Sequence, residues 1–199
     1  MIAVITGDII NSRKEQNTKW LDALKAALDT YGIEPKTWEI YRGDSFQLEL
    51  PIEKAVHAAL YLKATIRQFK GLDSRIAIGI GEKSHDAVKI TQSNGTAFHN
   101  SGDCFEELKK NTLAIKSPFK DFNEEMNCYL RLALLTIDRW SVNVSTIVKI
   151  AMENPDLTQV NLAQLINKSQ STTSNTLSRA GFYEMMSMEK RYRELIKQL

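Results

Sequence analysis

The sequence predicts an α+β fold: a ferredoxin-like β-α-β-β-α-β unit followed by an all-α helix-turn-helix segment. Three observations predict it. In the first half, short β-branched runs alternate with amphipathic stretches at helical spacing. Two of those runs are separated only by Arg42-Gly43-Asp44-Ser45, a hairpin signal. From about Lys120 onward the β-branched runs bounded by turns stop and helical periodicity alone remains.

Each element follows from local chemistry. Met1 to Gly7 is an apolar run that stops at Gly-Asp and reads as a buried strand. Trp20, Leu21, Leu24, Ala27, Leu28 and Tyr31 recur at helical spacing, with Gly32 as the C-cap signal. Trp38 to Tyr41 and Phe46 to Leu50 form the hairpin. Ala55, Ala59, Leu62, Ile66 and Phe69 mark a second helix, broken by Gly71-Leu72-Asp73-Ser74. Arg75 to Gly81 alternates as a strand, a looser segment spans His85 to Asn94, a third helix covers Phe98 to Lys110, and Leu113 to Ile115 is a last short strand. In the ferredoxin-like unit two helices cover one face of an antiparallel sheet. Phe122 to Trp140 and Val142 to Glu153 read as helices, Asn154-Pro155-Asp156 as a stop, and Thr158 onward as helical with breaks near Asn167 and Gly181.

A length of 199 residues fits one large or two small domains at roughly 150 residues each. The expected units are 1–119 and 120–199, with the boundary falling within Phe119 to Trp140. The 26 basic and 24 acidic residues leave a net charge of +2, too balanced for a whole-chain polycation, and that excess falls after Trp140. No run of 18 apolar residues spans a membrane, and an N-terminus without basic residues but with Asp8 does not read as a signal peptide. Cys104 and Cys128 have no metal-ligand spacing and read as two buried thiols of a cytoplasmic protein. His57, His85 and His99 are scattered, Trp20, Trp38 and Trp140 read as core, and Gly79-x-Gly81 lacks the third glycine of a dinucleotide loop.

Asp8 and Asp44 sit where chemistry would use them. In this topology the first and third strands are central neighbours, so the end of one and the start of the other share a sheet edge. Two carboxylates about 4 Å apart repel by about 4 kcal/mol at an effective dielectric of about 20. Mg²⁺ relieves this and completes its shell with phosphate oxygens and water. Asp8 and Asp44 are therefore the candidate metal ligands. Ile9, Ser12, Arg13 and Arg42 are the candidate nucleotide contacts. The alternative is ordinary turn chemistry for either aspartate.

Ile5-Thr6-Gly7-Asp8-Ile9, Arg42-Gly43-Asp44-Ser45-Phe46 and Arg75 to Glu82 resemble, in order and spacing, class III nucleotidyl cyclase and GGDEF palm domains. The resemblance implies metal binding at Asp8 and Asp44, with the Ile9 backbone beside them. The hairpin lacks the second Gly and the Glu of GGDEF. Where the cyclases place an Asn and an Arg four residues apart, Asn100 is followed by Cys104. Without that cation, catalysis of phosphoryl chemistry is not expected and no catalytic residue is assigned. The whole chain is similar to the SatD family of bacterial proteins through Met1 to Ile9, the Gly-Asp-Ser-Phe hairpin and Gly95-Thr96-Ala97-Phe98 with Ser101-Gly102. That resemblance implies a cyclase-like domain joined to a C-terminal helix-turn-helix, and a regulator.

The helix-turn-helix reading covers about 158–180. Thr158 starts a helix with Leu162, Leu165 and Ile166 on its buried face and Ala163 at the close approach. Asn167 suits a left-handed turn position and Ser169 caps the next helix. That helix presents Gln170, Ser171, Thr172, Asn175, Thr176 and Arg179, residues that reach base edges and phosphates. The alternative is a polar helical hairpin docked on the first unit or on another chain. Met185, Met188, Tyr192, Leu195 and Leu199 form a 3-4-3-4 stripe that suits either a homodimer helix or packing within the chain.

The function expected is transcription regulation by a DNA-binding bacterial protein, cytoplasmic and dimeric, whose first unit senses a nucleotide with Mg²⁺ or retains only the shape of such a sensor. The alternative is a metal-dependent enzyme acting on nucleoside triphosphates through Asp8 and Asp44.

Overall fold

Nine residues, Ile2–Ile10, form the central strand, β1, of a mixed five-stranded sheet in a computed structural model that describes residues 1–14 and 18–199. The other strands are β2 (Trp38–Tyr41), β3 (Ser45–Leu50), β4 (Asp73–Gly81) and β5 (Leu113–Lys116), in the order β2-β3-β1-β4-β5. β5 runs parallel to β4, and the other neighbours are antiparallel. Among the described residues eight α-helices complete an α+β fold: α1 (Lys19–Asp29), α2 (Ala55–Ile66), α3 (Thr96–Glu107), α4 (Lys120–Ile137), α5 (Val142–Glu153), α6 (Gln159–Leu165), α7 (Gln170–Arg179) and α8 (Phe182–Ile196). None is long and apolar enough to cross a membrane.

Alternation along β1 sends its side chains to two covered faces. Ala3, Ile5 and Ile9 join the cluster built by α1 and α2, whereas Val4 packs with Ala97 and Phe98 of α3. The two-on-one-face expectation holds for α1 and α2, and α3 adds a third layer behind the sheet. Gly79 and Gly81 seat that layer. A Cβ on Gly79 would lie 2.2 Å from the Ser101 amide nitrogen and 2.3 Å from the Ala97 oxygen. The Gly-x-Gly of β4 is thus the floor on which α3 lies.

Several boundaries move. The first strand continues through Asp8 to Ile10, because Asp8 to Ile10 pair with Arg75 to Asp73 on β4. α1 closes at Asp29, with Thr30 still right-handed, so Gly32 is not its cap. Gly32 is instead pressed against Thr37, whose Oγ1 would lie 1.9 Å from an added Cβ. The third helix starts at Thr96 and stops at Glu107, and the fourth starts at Lys120 and stops at Ile137.

α4 lies against β5 and closes the open edge of the sheet. Asn127 accepts from the Ile115 amide at 3.0 Å and donates to the Ile115 carbonyl at 2.8 Å. One turn earlier Asn123 does the same for Ser117, at 2.9 and 2.8 Å. The i, i+4 asparagines thereby satisfy alternate residues of a strand whose outer groups would otherwise be unpaired.

The expected division at residue 119 is a change of secondary structure rather than a gap in packing. One hydrophobic cluster runs from Ile5 and Ile78 of the sheet, through Leu62 of α2, to Ile147, Leu177 and Tyr192. The α8 stripe is correspondingly shifted from the one expected. Met185, Glu189, Tyr192 and Ile196 face inward, while Leu199 is exposed. The Tyr192 hydroxyl donates to the Ile52 carbonyl at 2.5 Å.

A wholly buried ammonium anchors the network through which Arg67 joins the two halves. Lys63 Nζ donates to Asp73 Oδ1 (3.0 Å), the Ser74 carbonyl (2.9 Å) and Thr112 Oγ1 (3.0 Å). Arg67 holds the other Asp73 oxygen at 2.7 Å and reaches the Asp138 and Trp140 carbonyls at 2.8 and 3.2 Å. Burial pushes the Lys63 pKa down, and Asp73 opposes that shift. Removing one member leaves buried charge without its partner, so Lys63→Met is expected to lower unfolding free energy by about 3–5 kcal/mol in urea titrations.

The two cysteines differ. Cys104 is buried beside Ala77 and Leu108, and burial pushes its thiol up to about 12. Cys128 is exposed, against the expectation of two buried thiols, because it lies on the outer side of α4. A thiol reagent at neutral pH should modify Cys128 well before Cys104, and Cys128→Ser should remove the faster phase.

Candidate functional site

The aspartates meet at one sheet edge through the register of β1 and β3, which places Asp8 opposite Ser45. The hairpin turns through Arg42 and Gly43, both left-handed at φ 54° and 89°, and delivers the Asp44 carbonyl to the Ile9 amide at 3.1 Å. The chain then turns at Asn11, φ 65°, whose amide donates to the Gly71 carbonyl at 3.1 Å. Ser12, Asp44 and Asp8 are thereby brought to the same end of the sheet.

The two carboxylates hold different partners. Asp8 lies on the α3 face, two residues beyond Thr6, whose hydroxyl is 3.0 Å from that of Ser101. Arg75, directly across on β4, grips both Asp8 oxygens, with Nε to Oδ1 at 2.9 Å and its terminal nitrogen on Oδ2. The same guanidinium lies 5.0 Å from the Phe105 ring centre of α3. Asp44 accepts from the Ser12 hydroxyl at 2.5 Å. Arg13 and Arg42 are exposed and Ile9 is buried. Asn100 is occupied by the Ile80 carbonyl at 2.7 Å. Arg75 had no place in the sequence reading of this site, since only strand pairing sets it opposite Asp8.

This donor set does not fit a resident divalent cation. The Asp8 oxygens are clamped by a guanidinium, and a metal on Asp8 and Asp44 would first have to displace Arg75. Among the described residues no group of three or more His, Cys, Asp and Glu side chains is placed to hold a metal.

The second constellation is built by α6 and α7. Thr158 caps α6 by accepting from the Asn161 amide at 3.2 Å. The helix closes with a left-handed Asn167, φ 53°, and paired bonds from Lys168 N to Ala163 O (2.9 Å) and Asn167 N to Gln164 O (3.0 Å). Ser169 then caps α7, accepting from the Thr172 amide at 3.1 Å. Leu162, Ala163, Thr173 and Leu177 are buried. Leu165 is exposed and Ile166 half-buried, so the inner face of α6 is narrower than expected. Thr173 occupies its apolar position by donating its hydroxyl to the Ser169 carbonyl at 3.0 Å. Trp140 fixes the far end, its indole N–H donating to the Ala180 carbonyl at 3.0 Å.

Gln170, Ser171, Thr172, Asn175 and Arg179 are exposed on α7. Thr176 is half-buried, and its hydroxyl donates to the Thr172 carbonyl at 2.8 Å, which leaves it only acceptor capacity outward. Thr172, Asn175, Thr176 and Arg179 line a groove of about 670 Å³ shared with Leu135, Arg139 and Asn143. Arg139 and Arg179 therefore flank one groove although 40 positions separate them, and no local pattern marks Arg139.

No family model matches this chain, and no curated protein or solved structure matches it.

The turn supplies a stability test. At φ 53° a β-branched side chain is strained and glycine is not. Asn167→Val is expected to lower unfolding free energy by about 1–2 kcal/mol and Asn167→Gly to leave it near the parent value, as read by denaturant titration.

Proposed function

We propose that this chain is a DNA-binding transcriptional regulator in which α7 enters the major groove. The sheet half would be a degenerate relative of nucleotide-cyclase palm domains, as the SatD resemblance implies. The observation that carries the reading is the joined pair α6–α7. Two capped helices meet at a left-handed Asn167, the inner residues are buried, and Gln170, Ser171, Thr172, Asn175 and Arg179 all point outward. Short amide and hydroxyl side chains beside one guanidinium suit base edges and phosphate. The antiparallel order β2-β3-β1-β4 supports the ferredoxin-like reading of the first half.

The test is fluorescence anisotropy of the full chain on DNA from its own upstream region, at two salt concentrations and with non-specific competitor. Binding is expected to survive competitor. Arg179→Ala should weaken it on all sequences and reduce the salt slope by about 1, and Asn175→Ala should cost about 1–3 kcal/mol of discrimination at one base pair. Binding that is absent, or lost to competitor, would return α7 to the role of a docking helix.

The second reading, an enzyme acting on nucleoside triphosphates with Mg²⁺, is favoured by the adjacency of Asp8 and Asp44 across β1 and β3. The Arg75 clamp on Asp8 ranks it behind. No cyclic or linear product is expected from ATP or GTP with Mg²⁺ or Mn²⁺. Product that disappears in Asp44→Ala would reverse the order of the two readings.

A further inference from the structure

We infer that the outward face of α4 is a homodimer interface, on which two copies of α4 pack antiparallel about a twofold axis at Leu132. The expected dimer stripe on α8 is spent inside the fold, where Met185, Tyr192 and Ile196 are buried. α4 turns its opposite side to β5, through Asn123 and Asn127, and to the core, through Met126, Leu130 and Leu134. What remains outward is Glu124, Cys128, Leu132, Leu135 and, just past the helix, Arg139. Their 4-4-3-4 spacing keeps them on one stripe. Leu132 and Leu135 are 58% and 64% exposed at its centre. Isolated exposed leucines are ordinary, but adjacent ones beside an apolar groove form a patch. Tyr129, Leu132 and Ala133 of α4 and Met185 and Met188 of α8 line such a groove, of about 570 Å³. The leucines and the groove together form an outward apolar surface of the kind an isologous contact covers.

Charge selects a second copy as the occupant and fixes its direction. The stripe carries Glu124 at one end and Arg139 at the other, with Asp121 and Arg131 on its flanks. Among the described residues Asp121, Arg131 and Arg139 make no ion pair, and Glu124 meets only Lys120, at 3.7 Å with both side chains largely in solvent. Lys120 and Asp138 at the two ends oppose the trend, and Glu125 is already held by Tyr129 and Arg191. Parallel pairing would stack Glu124 on Glu124 and Arg139 on Arg139. Antiparallel pairing about Leu132 sets Leu132 against its own copy, Leu135 against Cys128, and Arg139 against Glu124. Along the stripe itself each layer is then apolar or oppositely charged, with Arg131 at the solvent-exposed flank beside the axis. The interface borders the α7 face, since Arg179 lines the same groove and Leu135 and Arg139 line the one beside Asn175, so Leu132→Asp separates the two readings by removing the dimer while leaving the α7 side chains in place.

Sedimentation equilibrium of the full chain at micromolar concentrations tests it. A mass of twice 22.6 kDa is expected, reduced to one chain in Leu132→Asp, with a far-UV circular dichroism spectrum like the parent's showing that the exposed site does not disturb the fold. Glu124→Arg and Arg139→Glu should each weaken association by about tenfold at low salt, and the double variant should recover it. Leu135→Cys, treated with oxidised glutathione, should form a covalent dimer through Cys128 that Cys128→Ser removes. A monomeric parent chain, a dimer indifferent to Leu132→Asp, a double charge reversal no better than the singles, or no cross-link between positions 135 and 128 would each overturn the proposal.

Discussion

The fold is organised around a charge in a place where charge is expensive. Lys63 has its ammonium between α2 and the start of β4, wholly buried, with each of its three donors matched to an oxygen. Such a group is tolerated only when its geometry is complete. Completing it fixes Asp73 at the head of β4, Thr112 just before β5, and Arg67 at the end of α2. Arg67 in turn holds the two carbonyls that bracket the corner between α4 and α5. Trp140, at that corner, donates to the carbonyl ending α7. One chain of bonds therefore leads from the centre of the sheet to the surface proposed to contact DNA.

The same economy of partners shapes the two candidate sites. Asp8 would be an open carboxylate at a sheet edge if β4 carried a neutral residue opposite it. With Arg75 there, Asp8 instead orients a guanidinium over Phe105 and secures α3 to the sheet. The Asp8 carboxylate thus serves packing. In the α6–α7 pair the polarity is reversed: backbone groups at the turn are satisfied within the turn itself, and the side chains of α7 are left outward.

α4 mediates between these halves and does so with both sides. Its inner asparagines complete β5, an edge that would otherwise invite another strand. Its outer leucines, Leu132 and Leu135, stay largely exposed among the described residues. A helix committed on one face to closing a sheet has only the other face left for association, which is why the proposed self-contact lies there and not on α8.

Much was legible in the sequence where the cause is local. Period-two and helical spacing located the five strands and eight α-helices of the described residues to within a few positions. The turn at Asn167 and the caps at Thr158 and Ser169 were readable because each is a side chain bonding its own neighbourhood. The meeting of Asp8 with the hairpin was readable because strand order dictates it. What only the tertiary structure decided was who partners whom at long range. Arg75 lies 67 positions from Asp8, the continuation of β1 to Ile10 depends on pairing with β4, and the burial of Glu189 in place of Met188 depends on which way α8 rolls against α4 and the Ile52 turn. The physical reason is the same throughout. Spacing along a chain fixes which residues share a face, but a charge or an apolar stripe acquires its role from whatever the folded chain places across from it.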